Sequence, residues 1–373
     1  MRDKGCGGAY ARLDRNTGEI VEIMEKQNNA PRAGAPHLDF IDLAKGICIL
    51  FVVSYHVDQC EVLYRNQSVN NFFMSFRIPF YFMLSGLFIS FNSGYQAFFI
   101  KKINRLVIPC TFFFCLTMVY AYVFTLVRSK VLGDSSDVIF DSSLYNFLIQ
   151  ESGKFYYPNI PIWFLVSLFT TYLLYLFLDF VTRQNLYIML ALSFVFGIGG
   201  YLFGKNEVQI PFYLDSSMTC MPFVAVGNVL RKKTDILHSR NKKLTIGIAL
   251  ICLIATAVTY GGDVTFFRNA YEATILNLYI AGCSGSIAMI LLSKLIGRCP
   301  VVNYIGRYSI IVLGTHSFFI GLYTPVLTRL IHGNVLMLKA LLLVLVVLSC
   351  IFCIYAMRKL VPWFVAQKDL IRA

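Results

Sequence analysis

The chain has 373 residues, of which 57% are hydrophobic and only 14% are charged. Soluble domains carry about 25% charged residues, so the composition excludes an ordinary soluble globular protein and indicates a polytopic membrane protein. The net charge of +13 does not indicate a nucleic-acid partner, because the basic residues lie in loops between apolar segments rather than in an extended basic arm.

The polarity of the chain divides it into three parts. Residues 1–37 are polar and lack the apolar core of a signal peptide, so they predict a disordered cytoplasmic N-terminal tail. Residues 38–358 are predicted to form a single membrane domain. Residues 359–373 are predicted to be a short cytoplasmic C-terminal tail.

Apolar segments of membrane-spanning length recur ten times in the middle part. The predicted fold is therefore all-α, a polytopic membrane protein with about ten transmembrane helices. The predicted spans are residues 43–63, 71–91, 105–127, 161–181, 186–204, 209–230, 244–260, 273–293, 307–328 and 335–357.

The distribution of Lys and Arg predicts the orientation of these spans. Short cytoplasmic loops carry an excess of basic residues. With the N-terminus in the cytoplasm, 24 of the 33 Lys and Arg residues lie on the inner side. The sequence thus predicts a multi-pass protein of the cell (inner or plasma) membrane with both termini cytoplasmic. Membrane lipids are its expected surroundings, and the oligomeric state stays open.

The segment 38–90 contains the strongest candidates for chemistry. Its first apolar helix carries Asp42, Lys45 and His56. Ionisable groups inside a membrane-length helix are costly, so they mark functional sites by default. Lys45 and His56 are eleven residues apart, close to three turns, so they share one helix face with Asp42. An imidazole at mid-membrane depth can act as a general base, a proton relay or a structural hydrogen-bond partner.

The second helix of this segment carries Arg77 near its start and Ser85 near its end. Arg77 precedes a proline, which fits the first turn of a helix. Ser85 and the following Gly86 form a small surface that another helix can approach closely. Packing and a substrate role are both open for Ser85.

Four further residues are weaker candidates. Lys102 and Arg105 lie one turn apart where the third span begins, which is typical of a phosphate site at a helix N-terminus and also of a plain positive-inside anchor. Trp163 begins the fourth span near the outer surface, where tryptophan is normally an anchor. His316 lies midway along the ninth span.

Four motifs occur in order within residues 38–357: DLAKGICILFVVSYH, FRIPFYFMLSGLF, KKINRLVIP and PIWFLVSLF. Together they resemble the integral-membrane acyltransferase-3 family. That resemblance implies a ten-helix membrane domain that moves an acyl group, often acetyl, from cytoplasmic acyl-CoA to a carbohydrate. In many members the acceptor is a cell-surface glycan.

The resemblance also implies roles for individual residues. The family's histidine falls on His56, and its RxxR motif falls on Lys102 and Arg105, with Lys in place of the first Arg. The family often has His where this chain has Arg77, which leaves the role of Arg77 open. Trp163 becomes a candidate for contact with the substrate, as do Arg77, Ser85 and His316.

In the mechanism that follows, His56 acts as the general base for the acceptor hydroxyl or carries the acyl group covalently. Asp42 or Asp58 orients its ring, and Lys45 favours negative charge on the donor or on the developing oxyanion. Lys102 and Arg105 bind the phosphates of acyl-CoA.

Acyl-CoA is the expected co-substrate, and no metal is expected, because the CxxC at 350–353 has no second pair. One alternative is a proton-coupled transporter or flippase of a glycan or lipid-linked substrate, with His56 as a proton relay. Another is an inactive partner in a glycan-export complex. The lack of an internal repeat counts against the transporter.

Overall fold

A computed structural model describes residues 11–13, 20–22, 38–59, 67–132, 148, 159–235, 237–331 and 333–372. The chain divides into two units, residues 1–38 and residues 39–373. In the first unit, strands β1 (Ala11–Leu13) and β2 (Ile20–Glu22) pair antiparallel. The remainder of residues 1–37 lies outside the described residues, so the predicted disordered tail stays a prediction.

The second unit is a bundle of helices. These are α1 (Asp39–Asp58), α2 (Gln67–Leu87), α3 (Tyr95–Lys102), α4 (Ile108–Leu132), α5 (Trp163–Val181), α6 (Leu186–Lys205), α7 (Leu214–Lys233), α8 (Lys242–Thr259), α9 (Ile275–Ile296), α10 (Pro300–Arg307), α11 (Ser309–Leu330) and α12 (Val335–Leu360). A π-helical turn, Ile103–Val107, joins α3 to α4. A hairpin of β3 (Val264–Thr265) and β4 (Ala270–Tyr271) lies between α8 and α9.

The all-α polytopic membrane fold is confirmed. Eight helices among the described residues are long and apolar enough to cross a bilayer. The ten predicted spans correspond in order to ten long helices, and the two outside the eight are α2 and α7. These two are more polar, and their polar residues Ser75, Arg77 and Asp215 are buried in the protein. Such groups are tolerated at membrane depth when they face the bundle interior.

Helices α2 and α7 pack at backbone distance. A Cβ atom on Gly86 would overlap the carbonyl oxygen of Val224, and one on Gly227 would overlap that of Met83. Small residues allow this close approach between membrane helices. The close contact predicted at Ser85 and Gly86 is therefore made through Gly86.

Two ends of the bundle are distinguished below. The basal end is where α1 begins and α7 ends, and the distal end is where α1 ends and the α8–α9 connection lies. At the basal end α10 packs on the first turns of α1, where a Cβ on Gly306 would overlap the carbonyl oxygen of Asp42. Helix α11 follows directly and runs beside α1 toward the distal end, which brings its side chains to the last turn of α1.

Candidate active site

His56 lies in the last turn of α1, because that helix ends at Asp58. Gln59 follows in a turn, and residues 60–63 of the predicted span lie outside the described part of the chain. His56 is therefore near the distal end of its helix and not at its middle. The ring of the preceding Tyr55 contacts it edge-on, with the centroids 5.2 Å apart.

His316 on α11 lies beside His56, and the ring centroids are 5.2 Å apart. It is fully buried. Its Nδ1 is 2.8 Å from the carbonyl oxygen of Val312. Because a carbonyl only accepts, Nδ1 must carry the proton and donate it. The lone pair is then on Nε2, which has no hydrogen-bond partner among the described residues.

Arg77 on α2 brings a positive charge to the same place. Its guanidinium carbon lies 3.7 Å from the centroid of the Tyr55 ring, a cation–π geometry. Arg77 is only 7% exposed. A buried guanidinium that lines the same cavity as the His56 imidazole is typical of a functional site and not of an anchor in lipid headgroups.

Tyr55, His56 and Arg77 line a cavity of about 390 Å³, and Trp163 is also part of its wall. Trp163 is buried, and its ring packs against Tyr213 and Phe267 with centroids 5.6 and 6.0 Å away. It lies inside the protein and not at the lipid interface where tryptophan usually anchors a span. The cavity thus joins His56, Arg77 and Trp163, which lie far apart in the sequence.

The sequence analysis missed the charged and amide-bearing residues Gln59, Asp263 and Arg268, which also line the cavity. Asp263 and Arg268 belong to the α8–α9 connection, which closes the cavity at the distal end. Asn269 holds this connection, since its Nδ2 donates to the Gly200 carbonyl at 2.8 Å. The only sequence signal was a charged loop between two apolar spans, which does not say which cavity the loop covers.

A second, narrower space extends from this cavity toward the basal end. It measures about 120 Å³ and is lined almost entirely by apolar side chains. It shares four lining residues with the larger cavity, namely Val52, Ile78, Phe164 and Leu313. Its other lining residues include Tyr81 and Leu106. This apolar channel therefore leads from His56 to the π-helical turn before α4.

Asp42 and Lys45 are not at this site. Fourteen residues along α1 place Asp42 about 21 Å from His56, and Lys45 is about 16 Å away. The Asp42 carboxylate instead lies 3.1 Å from Arg307 Nε and 3.5 Å from Lys45 Nζ. The prediction that Asp42 orients the His56 ring is therefore wrong, because the two residues are too far apart. The prediction that Lys45 contacts a group reacting at His56 is wrong for the same reason.

Asp58, the other carboxylate considered for orienting His56, forms an ion pair with Lys339 on α12 at 2.6 Å. Both side chains are less than one-fifth exposed. This pair ties the end of α1 to α12. The ring that reaches His56 from another helix in place of a carboxylate is that of His316 on α11.

Lys102 and Arg105 do not share a helix face. Lys102 points at α5, where its Nζ lies 3.5 Å from the centroid of the Tyr172 ring. Arg105 contacts the segment after α12: it donates to the Ala366 carbonyl and lies 3.4 Å from Asp369. The π-helical turn between α3 and α4 adds a residue per turn and shifts the angular phase, so residues three apart diverge.

The remaining candidate, Ser85, donates a hydrogen bond to the Tyr81 carbonyl of its own helix at 2.9 Å. It lines neither the cavity nor the channel described above. No group of three or more His, Cys, Asp or Glu side chains within the described residues could hold a metal ion.

Comparison with protein families gives the class of this site. The family model Acyl_transf_3, an acyltransferase domain, matches residues 38–358. The chain belongs to the acyltransferase-3 family. Among curated proteins and among solved structures, no match was found.

Membership in the acyltransferase-3 family makes the protein a membrane acyltransferase. Acyl transfer needs a base for the nucleophile and a positive or hydrogen-bonding group for the oxyanion. His56 and Arg77 are groups of these two kinds in the wall of one cavity, and His316 packs behind His56. The acyltransferase-3 domain thus brings its basic and cationic side chains together at the distal end of α1.

Proposed function

We propose that the protein transfers an acyl group, in the simplest case acetyl, from acyl-CoA to a hydroxyl of a carbohydrate or cell-surface glycan. The observation that carries this proposal is the His56–His316 pair next to the junction between the wide cavity and the narrow apolar channel, with His56 in the wall of the wide cavity. Two substrates of different shape can meet at that junction: a thin donor arm from the basal side and a bulky polar acceptor from the distal side.

His56 is the group that reaches the acceptor, since it lines the cavity and His316 does not. An N–H of His56 directed at the lone pair of His316 Nε2 makes the other nitrogen of His56 the one that takes the proton of the acceptor. His316 is then a positioning residue. Its tautomer is held by the Val312 carbonyl, which replaces the orienting carboxylate of a catalytic triad.

The reaction proceeds by addition and elimination. His56 removes the proton of the acceptor hydroxyl as its oxygen bonds to the thioester carbonyl carbon. The negative charge that develops on the carbonyl oxygen is stabilised by Arg77. The C–S bond then breaks, the thiolate takes the proton from His56, and an ester and free CoA result.

The donor enters from the basal side, which positive-inside orientation makes cytoplasmic. The pantetheine arm lies in the apolar channel between Tyr81, Phe164 and Leu106. Lys102 and Arg105, at the base of this channel, contact the donor phosphates. Arg105 must then give up its contacts with Ala366 and Asp369 and bind a donor phosphate, which carries more negative charge than the Asp369 carboxylate.

The acceptor occupies the wide cavity. Trp163 and Phe267 offer apolar ring faces, and Gln59, Asp263 and Arg268 offer hydrogen-bonding groups. Carbohydrates present both kinds of surface, because their C–H faces are apolar and their rims carry hydroxyls. The charge of Arg268 favours an acceptor that is neutral or anionic.

Purified protein in detergent tests the proposal directly. Incubation with acetyl-CoA and a panel of saccharides should yield CoA and an acetylated saccharide by mass spectrometry. His56→Ala should abolish both products, whereas His238→Ala, an exposed histidine in the α7–α8 connection, should retain them. Saccharide flux across vesicles without acetyl-CoA consumption would establish the transporter instead.

The same preparation separates the two chemical routes. With labelled acetyl-CoA and no acceptor, a covalent route leaves a labelled acyl-imidazole at His56. Direct transfer leaves the protein unlabelled and needs both substrates bound together.

A further inference from the structure

A third cavity, of about 480 Å³, lies at the basal end where α2, α5 and α7 terminate. It shares no lining residue with the His56 cavity or with the apolar channel. Its walls include Asp179, Asn228, Arg231 and Lys232, and the ring of Phe91. Neither the acyl chemistry nor the family assignment gives this cavity a role.

Its floor is built from buried polar side chains. Asn228 and Asp179 are each 2% exposed. The Asn228 amide donates to the Tyr175 hydroxyl at 2.8 Å, while its Oδ1 has no hydrogen-bond partner among the described residues. Asp179 accepts from the Tyr95 hydroxyl at 3.0 Å. A buried amide oxygen without a donor is costly, so a ligand with an N–H or O–H group fits here.

The rim of the cavity is basic. Arg231 and Lys232 are exposed, and Arg231 uses one Nη to donate to the Ile89 carbonyl at 3.3 Å. Its remaining N–H groups make no other hydrogen bond within the part of the chain that the structure describes, and Arg and Lys together are a typical phosphate site. With the aromatic ring of Phe91 and the amide of Asn228, the cavity suits a phosphorylated purine nucleoside.

The position of this cavity relates it to the channel. Arg77, Tyr81 and Ser85 follow each other at four-residue steps, so they share one face of α2, and Ile89 lies two residues beyond the end of this helix. Arg77 lines the His56 cavity, Tyr81 lines the channel and Ile89 lines the basal cavity, so this segment passes the three spaces in that order. Ser85, which had no function above, lies on this face.

Residues along helix α5 also line first the channel and then the basal cavity. Phe164 lines the channel, and Asp179 lines the basal cavity. Between them lies Tyr172, whose ring contacts the Lys102 ammonium. The rings of Tyr81 and Phe164 meet across the seam between α2 and α5, with centroids 5.7 Å apart. One seam therefore connects the basal cavity, Lys102 and the His56 site.

We propose that the basal cavity binds the adenosine 3′,5′-bisphosphate end of acyl-CoA. This inference rests on the proposed function. Arg231 and Lys232 hold the 3′-phosphate, and the exocyclic amino group of the adenine donates to Asn228 Oδ1. Lys102, farther along the seam, faces the pyrophosphate, and the pantetheine arm continues along the seam to His56.

Equilibrium binding to purified protein in a nonionic detergent tests this assignment, with acetyl-CoA, dephospho-CoA and adenosine 3′,5′-bisphosphate as probes. The parent protein should prefer acetyl-CoA to dephospho-CoA, which lacks the 3′-phosphate. Arg231→Ala and Lys232→Ala should each weaken acetyl-CoA binding about tenfold and remove this preference. Lys233→Ala is the matched control, because Lys233 does not line the cavity and lies 5.3 Å from the Tyr187 ring.

The outcomes are distinguishable. If both variants bind acetyl-CoA like the parent and keep the preference for the 3′-phosphate, the cavity assignment is wrong and the donor proposal stands. If the parent binds adenosine 3′,5′-bisphosphate through Arg231 but does not bind acetyl-CoA, the cavity is a nucleotide site and the donor proposal fails. Absence of binding by all three probes overturns both.

Discussion

The rings of His56 and His316 lie with their centroids 5.2 Å apart, although they belong to α1 and α11. His316 has its proton on Nδ1, bound to the Val312 carbonyl, and presents the bare Nε2 side of its ring. The two residues therefore have unequal positions: one is in the cavity, and the other is fully buried behind it. We therefore expect substitutions of His56 and of His316 to differ in their effect on acyl transfer.

We expect His56→Ala to lower acetyl transfer on the order of 10²–10⁴-fold, the usual contribution of a general base. His316→Asn should lower kcat by a smaller factor and leave the KM for acetyl-CoA unchanged, because His316 acts through His56. Steady-state kinetics with a saccharide acceptor checks both. Equal loss in both variants, with normal folding, would make His316 a second catalytic residue. His238→Ala is the control.

Arg77→Met should lower kcat by about 10²–10³-fold with little effect on the KM for either substrate, because the oxyanion exists only in the transition state. Arg77→Lys should recover part of the rate, since it retains the charge but not the planar contact with Tyr55. A variant that changes KM alone would assign Arg77 to substrate binding instead. Thermal unfolding of the purified variants controls for loss of the buried cation.

Donor binding should depend on Arg105 more than on Lys102, because Arg makes bidentate phosphate contacts and Lys acts as a point charge. Arg105→Ala should weaken acetyl-CoA binding by about 1.5–3 kcal/mol, and Lys102→Arg should be tolerated. Calorimetry in detergent, without anionic lipid, makes the measurement. The control is Lys101→Ala, because Lys101 is an exposed neighbour in the sequence. If Arg105→Ala binds acetyl-CoA as tightly as the parent, the assignment of Arg105 to the donor phosphates is wrong.

Asp369→Asn offers an independent test of the same residue. The Asp369 carboxylate lies 3.4 Å from Arg105 and competes with a phosphate for it. Its removal should strengthen acetyl-CoA binding, and only in chains that retain Arg105. If the double variant Asp369→Asn, Arg105→Ala shows the same gain, the effect does not pass through Arg105.

Gly86→Ala should destabilise the protein by about 1–3 kcal/mol, because its Cβ would overlap the Val224 carbonyl and force α2 away from α7. Gly247→Ala on α8 is the matched control. A Cβ there meets nothing within 4 Å, so the change should stabilise the helix by about 0.5–1 kcal/mol. Unfolding followed by intrinsic fluorescence compares the two. Equal stability of both variants would contradict the packing.

Membrane orientation is testable at three exposed positions. Cysteine at Ser93 or Lys233, both at the basal end, should react only with reagents that reach the cytoplasm, and cysteine at Ala270 only from outside. The background chain needs its accessible native thiols replaced, since eleven cysteines are present. Labelling of position 233 by an impermeant reagent on intact cells would reverse the predicted orientation.

The sequence by itself determined the class of fold. Apolar runs of membrane length mark helices that must satisfy their own backbone hydrogen bonds, and their order and number followed from hydropathy. Within one helix, spacing also determined that Lys45 and His56 share a face about 16 Å apart. The family was predicted from four motifs in order, and the match over residues 38–358 confirmed it.

The tertiary structure alone decided which groups meet. Periodicity gives positions along one helix and says nothing about its neighbour, so His316 could not be paired with His56, nor Asp42 with Arg307. The divergence of Lys102 and Arg105 depends on one π-helical turn, which the local sequence did not signal. The basal cavity forms where the ends of α2, α5 and α7 come together, and the sequence of one helix does not show which other helix ends lie beside it.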